Sequence, residues 1–211
     1  MTKGTTGILV LGILFFGSLW GLSEASLGDW LYAHDIPNSS ILLGAIAFII
    51  IAAARVFLGL RWTGALIGLI AMLFKLVNMP FYSCHLMAIF LLGTGYDIAA
   101  LLVSRLPVTR FALPLTGFFG MYIGRALFAF TITYIVRYQH WVNAGLPKII
   151  SHIFIAGTIA ALVGFIAAPI GNRIALRLGS LSWPRLHPRA FTGSVLGATI
   201  GIWVFQRVAG L

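Results

Sequence analysis

Charged residues are scarce in this sequence. Only 9% of its 211 residues are Asp, Glu, Lys or Arg, whereas soluble globular domains contain about 25%. Cysteine is almost absent as well, and the single Cys84 excludes a disulfide within the chain. No stretch is polar enough to form a soluble domain with a basic face. The excess of 14 Lys and Arg over 4 Asp and Glu therefore does not indicate a nucleic-acid partner.

Apolar residues dominate the remaining pattern. They make up 60% of the chain, and the mean hydropathy is +1.03. Apolar runs of roughly 20 residues recur along the chain, which is enough to cross about 30 Å of hydrocarbon. These runs are longer than the strands of a membrane barrel, which have about 10 residues of alternating polarity. The sequence predicts an all-α polytopic integral membrane helical bundle, with residues 1–211 as a single transmembrane domain.

Seven membrane spans are predicted, and six is the alternative number. Clusters of turn and helix-breaking residues such as Asp35-Ile36-Pro37-Asn38 and Gly145-Leu146-Pro147 separate the apolar runs. The predicted spans are Gly7–Gly28, Ser40–Leu60, Trp62–Tyr82, His85–Ser104, Phe111–Val136, Lys148–Asn172 and Ala190–Ala209.

The basic residues predict the orientation of these spans. Nine of them fall on one side of the membrane, three on the other and two, Lys75 and Arg125, within spans. Because cytoplasmic loops carry the excess of Lys and Arg, the side with nine is predicted to be cytoplasmic. This predicts a multi-pass protein of the cell (inner or plasma) membrane with its N-terminus in the cytoplasm. The nine residues are Lys3, Arg55, Arg61, Arg105, Arg110, Arg173, Arg177, Arg185 and Arg189.

Four charged residues stand out within the predicted spans, where each costs several kcal/mol unless it is paired or hydrated. Counted at about 1.5 Å per residue from the cytoplasmic side, Lys75 and Arg125 lie about 20 Å and Glu24 about 25 Å into the membrane, but Asp97 only about 10 Å. We therefore expect Glu24, Lys75 and Arg125 to meet in the outer half of the membrane. Asp97 is expected to pair with an arginine at the cytoplasmic end instead.

Two interpretations of this outer group stay open. It is either an ion-pair network that holds helices together, or a polar cavity in which two cations and one anion leave positive charge for a carboxylate or phosphate of a solute. Polar residues at the outer helix ends complete the second interpretation. The candidate ligand-binding residues are Glu24, Lys75, Asn78, His85, Arg125 and His152.

Histidines form a second pattern on the predicted outer side. His34, His85, His140 and His152 all fall at or near outer helix ends. Imidazole nitrogens, together with nearby carboxylates or a thiolate, are the usual ligands of transition metals. No close ligand spacing such as HxxxH is present. Two alternatives to a metal site therefore remain: the histidines are hydrated at the membrane interface, or they bind an organic ligand directly. No catalytic motif is present either, which makes an enzyme the less favoured interpretation.

Small residues recur four apart on several spans and so share one helix face. Gly17, Gly21 and Ala25 form such a row on the first span, and Gly193, Gly197 and Gly201 form one on the last. These rows predict close helix packing, either inside the bundle or against a partner membrane subunit or a second copy of the chain.

The layout resembles the S components, the substrate-binding membrane subunits of energy-coupling-factor transporters. The resemblance rests on the small-residue row of the first span, the polar loop from Asp29 to Ser39, the fourth span from His85 to Asp97, and the sixth span ending in Gly171-Asn172-Arg173. It implies that a ligand binds near the outer surface, at loops and helix ends, and that small residues on a helix face contact a partner. The predicted seventh span exceeds the usual six.

These observations predict an integral membrane protein that binds a small solute in an outward-facing polar cavity, as the substrate-binding subunit of an importer. The predicted partners are membrane lipid, a small anionic solute, and another membrane subunit or a second copy. Because the sequence contains no nucleotide-binding motif, ATP-driven transport would require separate subunits. The alternative is a membrane-embedded enzyme, or a metal-binding membrane protein with an outer site of histidines and carboxylates.

Overall fold

The computed structural model describes residues 3–76, 83–180 and 188–209. All regular elements in these ranges are helical, which confirms the predicted all-α class. The α-helices are α1 (Lys3–Ser23), α2 (Asp29–Ala33), α3 (Ser39–Leu58), α4 (Thr63–Leu76), α5 (Ser83–Val103), α6 (Ala112–Phe130), α7 (Gln139–Ile150), α8 (Ala156–Ser180) and α9 (Pro188–Ala209). Three π-helical turns accompany them, at Glu24–Gly28, Thr131–Ile135 and Ser151–Ile155.

The π turns continue their neighbouring α-helices, so the described residues form seven helical segments that correspond to the seven predicted spans. Five segments are long and apolar enough to cross a membrane, and the apolar parts of the other two, Thr63–Lys75 and Gly193–Phe205, are shorter. The five are Thr6–Ala33, Ser39–Leu58, Cys84–Val103, Ala112–Ile135 and Gln139–Ser180.

Three predicted boundaries differ from the structure by several residues. The first span extends to Ala33, because the π turn at Glu24–Gly28 carries the helix onward. The sixth begins at Gln139, ahead of the predicted Lys148, and continues to Ser180, beyond the predicted Asn172. The helix-breaking residues Gly145-Leu146-Pro147 produce a kink in the helix and do not end it. Gly145 has a left-handed φ of 61°. Pro147 follows in the first turn of the resumed helix, where its missing N–H costs little.

The helices pack as a closely contacting bundle. α5 packs between α4 and α6, α8 packs on α3 and α6, and α1 packs on α3 and α4, while α9 lies mainly against α1. The fully buried rings of Trp20, Phe48 and Tyr96 belong to the centre of the core. α6 and α8 approach so closely that a side-chain carbon at Gly117 would lie 2.0 Å from the Gly164 carbonyl oxygen. Small residues at such crossings are what allow membrane helices to gain van der Waals contact.

Arg55, Asp97 and the start of α4 meet at one end of the bundle. Asp97 is buried and forms an ion pair with Arg55 at 3.1 Å. Its two carboxylate oxygens also accept hydrogen bonds from the backbone N–H groups of Gly64 and Ala65, at 3.1 and 2.8 Å. A carboxylate on the free N–H groups of a helix start is favoured by the helix dipole. The predicted pairing of Asp97 with an arginine is confirmed, and Asp97 has a structural role.

Candidate functional site

The opposite end of the bundle carries a set of polar and charged side chains, which we call the polar cluster. It is assembled from six of the helical segments, and the three π turns of the described residues lie at or near this end. π turns often occur at functional sites, because the extra residue redirects side chains. The polar cluster comprises Glu24, Asp29, Tyr32, Ser40, Lys75, His85, Arg125 and His152.

Lys75 is satisfied within the chain. It is buried near the end of α4, and its Nζ forms an ion pair with Asp29, at the start of α2. The same ammonium donates a hydrogen bond to the backbone carbonyl of Glu24 at 3.1 Å. That carbonyl lies in the π turn between α1 and α2, so Lys75 ties this turn to α4. Its positive charge is balanced by Asp29.

Glu24 is also held by the protein itself. Its Oε1 accepts a hydrogen bond of 3.1 Å from the indole N–H of Trp20, one turn earlier. Because Trp20 is completely buried in the core, its N–H has a fixed position and fixes the carboxylate in turn. Glu24 therefore connects the core of the bundle to the polar cluster.

Arg125 differs from Lys75 in having no carboxylate partner among the described residues. It lies on α6, is only 8% exposed, and donates a hydrogen bond to the Ser40 hydroxyl at 3.3 Å. The chain has four Asp and Glu residues, and all of them lie in the described ranges. None is within 4.0 Å of the Arg125 guanidinium: the ion pairs in the described part of the chain are Arg55 with Asp97 and Lys75 with Asp29.

Two aromatic residues interact electrostatically with this arginine. Tyr32 and His152 both lie within the range of electrostatic interaction with Arg125. The Tyr32 ring stacks on the His85 ring, with centroids 5.0 Å apart and planes 18° from parallel. Tyr32 also interacts electrostatically with Glu24 and Asp29. Tyr32 is thus within electrostatic reach of both the carboxylates on the Lys75 side of the polar cluster and Arg125.

His152 belongs to a cluster of aromatic rings near Arg125. Its ring contacts Trp141 edge-to-face at 5.1 Å and Phe128 at 5.6 Å. Trp141 packs edge-to-face on Phe128 at 5.3 Å, and the Lys148 ammonium lies 5.7 Å from the Trp141 ring centre. The Lys148 ammonium therefore faces an aromatic ring, as in cation–π contacts.

The structure brings together five of the six predicted ligand-binding residues, but not as one group. Glu24 and Lys75 are in direct contact, Arg125 and His152 lie on the other side of the polar cluster, and His85 stacks on Tyr32 between the same helices. Asn78 lies outside the described residues. The structure differs from the prediction in one respect: Asp29 balances Lys75, so within the described polar cluster the unbalanced positive charge belongs to Arg125.

The four predicted metal-binding histidines are dispersed. His34 is exposed, donates a hydrogen bond from Nδ1 to the Trp30 carbonyl and packs against the Trp30 ring at a tilt of 32°. His140 is exposed as well, while His85 and His152 pack in different aromatic contacts. Within the described ranges, no three His, Cys, Asp or Glu side chains are close enough to hold one metal ion. A common site of these four histidines is therefore not formed.

The predicted docking row on α1 is covered by α4. A side-chain carbon at Gly17 would lie 2.4 Å from the Ile70 side chain, and one at Gly21 would lie 2.5 Å from Phe74. Ala25 is fully buried. These residues pack inside the bundle in this structure. The row on α9 is different, because a side-chain carbon at Gly193, Gly197 or Gly201 would meet no atom of the described residues within 4 Å.

Three members of the polar cluster, Asp29, Tyr32 and Ser40, were not among the predicted site residues. The sequence could have indicated Asp29 and Tyr32 as site residues, since both follow the first apolar run, where a carboxylate and an aromatic ring lie close to the interface. No feature of the sequence indicated Ser40. Comparisons with family models, with curated proteins and with solved structures found no match, so the side-chain geometry alone bears on function.

Proposed function

We propose that this chain is an integral protein of the cell membrane that binds a small anionic solute at Arg125, as the substrate-binding subunit of an importer. The observation that carries the proposal is the charge balance of the polar cluster. Lys75 has a carboxylate partner, whereas Arg125 is buried with a serine hydroxyl as its hydrogen-bond partner in the described ranges. A buried guanidinium is costly without an anion beside it.

The chemistry of the guanidinium defines the class of solute. Arginine offers five N–H donors in a planar fork that matches the oxygens of a carboxylate or phosphate in bidentate geometry. The neighbouring rings of Tyr32 and His152 supply flat apolar surface for the rest of the molecule. A small organic acid or phosphate ester with an apolar or planar part fits this environment best.

The direction of access follows from the proposed topology. If the nine basic residues lie in the cytoplasm, the Arg55–Asp97 end of the bundle faces inward and the polar cluster faces outward. Solute would therefore be captured from outside, as an importer requires. The sequence contains no nucleotide-binding motif, so the energy for import would come from a separate subunit. The resemblance to S components of energy-coupling-factor transporters points to the same arrangement.

A thermal-unfolding panel tests the proposal. The full chain in detergent is heated with small carboxylates and phosphate esters, each paired with its uncharged amide or alcohol. A bound anion at 100 times its dissociation constant stabilises the folded state by about 2.7 kcal/mol. We expect at least one acid, but not its uncharged partner, to raise the melting temperature of the wild type and not of Arg125→Met. The same shift in Arg125→Met would contradict an anion site at this residue.

A further inference from the structure

A surface cavity of about 310 Å³ lies where the Ala112–Ile135 span ends and α7 begins. Its walls come from the π turn Thr131–Ile135, from the connection after it and from the kinked start of the next segment. It is separate from Arg125, which lies two turns earlier on α6. The residues that matter below are Thr133, Tyr134, Arg137, Val142 and Leu146.

The polar part of the cavity is cationic. Arg137 is exposed, and none of the four Asp and Glu side chains, all of which lie in the described ranges, is within 4.0 Å of its guanidinium. Thr133, in the same wall, is 7% exposed, and its hydroxyl oxygen has no hydrogen-bond partner in the part of the chain that the structure describes. One cationic fork thus lines this cavity, and one buried hydroxyl without a partner among the described residues lies in its wall. The fork suits an anion with several oxygens.

The backbone at Arg137 adds a further observation. Its φ is +55°, in the left-handed region that glycine adopts easily and that arginine adopts at a cost. The position ends the segment that begins with α6, where glycine is the common residue. Arginine is thus unfavourable for the backbone conformation at this position. Its side chain, however, supplies the guanidinium that lines the cavity.

The rest of the cavity wall is apolar and open. Tyr134, Val142 and Leu146 are 52%, 45% and 61% exposed. The cavity lies at the end of a span, which is the depth of the lipid headgroups and the depth that tyrosine prefers. A cation beside exposed apolar side chains at this depth matches a molecule with a phosphate attached to acyl chains. Basic cavities between membrane helices bind lipid headgroups in the same manner.

We propose that this cavity binds the phosphodiester headgroup of a membrane phospholipid, with the Arg137 guanidinium on the phosphate oxygens and the acyl chains along Tyr134 and Leu146. The site is distinct from the solute site at Arg125 and does not depend on it. The lipid would hold the outer end of α6 and the start of the following segment at a fixed depth.

Native mass spectrometry of the delipidated full chain, titrated with dioleoylphosphatidylglycerol, tests this proposal. The variants are Arg137→Gln and, as a matched control, Arg110→Gln, which removes an exposed arginine from the other end of the bundle. Loss of a charge-assisted contact should weaken lipid binding about tenfold in Arg137→Gln, with no change in Arg110→Gln. Arg137→Gly separates binding from folding: it should lose lipid equally while its melting temperature stays the same or rises, because glycine suits the positive φ.

Two further ligands identify the source of the phosphate. Dioleoylglycerol, which lacks phosphate, should bind at least about tenfold more weakly than the phospholipid if the headgroup contact is charge-assisted. Soluble glycerol phosphate should not displace the phospholipid. Equal binding of dioleoylglycerol, displacement by glycerol phosphate, or undiminished lipid binding by Arg137→Gln would each overturn the proposal.

Discussion

Arg125 on α6 donates a hydrogen bond to Ser40 on α3 at 3.3 Å, and no carboxylate in the described ranges lies within 4.0 Å of it. Lys75, the other buried cation at this end, is paired with Asp29 and bonded to the Glu24 carbonyl. A carboxylate balances the charge of Lys75, whereas none in the described ranges balances that of Arg125. Removal of the two cations should therefore change the stability of the fold differently.

Replacement of each cation by methionine, which keeps much of the side-chain volume, tests this difference. Lys75→Met leaves the Asp29 carboxylate and the Glu24 carbonyl without their partner, and we expect a loss of about 1–3 kcal/mol. Arg125→Met removes a buried charge that has no counter-ion in the described ranges, and we expect the stability without solute to stay the same or rise. Thermal unfolding in detergent measures both. Asp29→Asn in the Lys75→Met background should recover part of the loss, and strong destabilisation by Arg125→Met would make Arg125 a structural residue.

The Asp97 carboxylate at the opposite end should be essential for folding. It accepts hydrogen bonds from Arg55 and from two backbone N–H groups at the start of α4. Asp97→Asn removes the charge and places an amide N–H₂ against donors, so we expect a loss of about 3 kcal/mol. The same change at Asp35, in the exposed turn before α3, should have little effect. Equal melting temperatures of the two variants would contradict this role.

Glycines on α1 and α9 should respond oppositely to alanine. A side-chain carbon at Gly21 would lie 2.5 Å from the buried Phe74 ring, but one at Gly197 would meet nothing within 4 Å in the described ranges. We expect Gly21→Ala to cost about 1–3 kcal/mol through overpacking. Gly197→Ala should be neutral or stabilising by about 0.5–1 kcal/mol. If Gly21→Ala were tolerated like Gly197→Ala in thermal unfolding, α1 and α4 would not pack as closely as described.

The helical segments were predictable from the sequence, because an apolar run and its flanking breakers are local properties. Gly59, for example, follows α3 in the left-handed conformation that ends helices. The depth estimate also separated Asp97 from Glu24, Lys75 and Arg125, since depth depends only on the rise per residue.

Lateral contacts could not be predicted in the same way. Depth places Lys75 and Arg125 at one level but does not say which helix faces meet, so the pairing of Lys75 with Asp29 was missed. The π turn at Glu24–Gly28 rotates the residues after it relative to a regular helix. The hydrophobic periodicity of the sequence does not reveal that rotation. The rotation brings Asp29 towards α4.

Cysteine labelling tests the proposed orientation. In a Cys84→Ala background, a cysteine at Asp35 should react with a membrane-impermeant maleimide on intact cells, because this turn lies at the polar-cluster end. A cysteine at Ser180 should react only after permeabilisation, since it lies at the end with the basic excess. Labelling of Ser180→Cys on intact cells, with Asp35→Cys protected, would reverse the orientation and place the proposed solute site on the cytoplasmic side.

The most direct measurement is the identity of small molecules released from the purified protein. The full chain, Arg125→Met and the control Arg110→Met are purified identically, denatured and extracted, and the extracts are compared by mass spectrometry. The account predicts an organic acid or phosphate ester near one equivalent in the wild type and in Arg110→Met. The same compound should fall at least about tenfold in Arg125→Met, as loss of a charge-assisted contact requires. An equal amount of that compound in all three samples, or a bound solute without an anionic group, would contradict an anion site at Arg125.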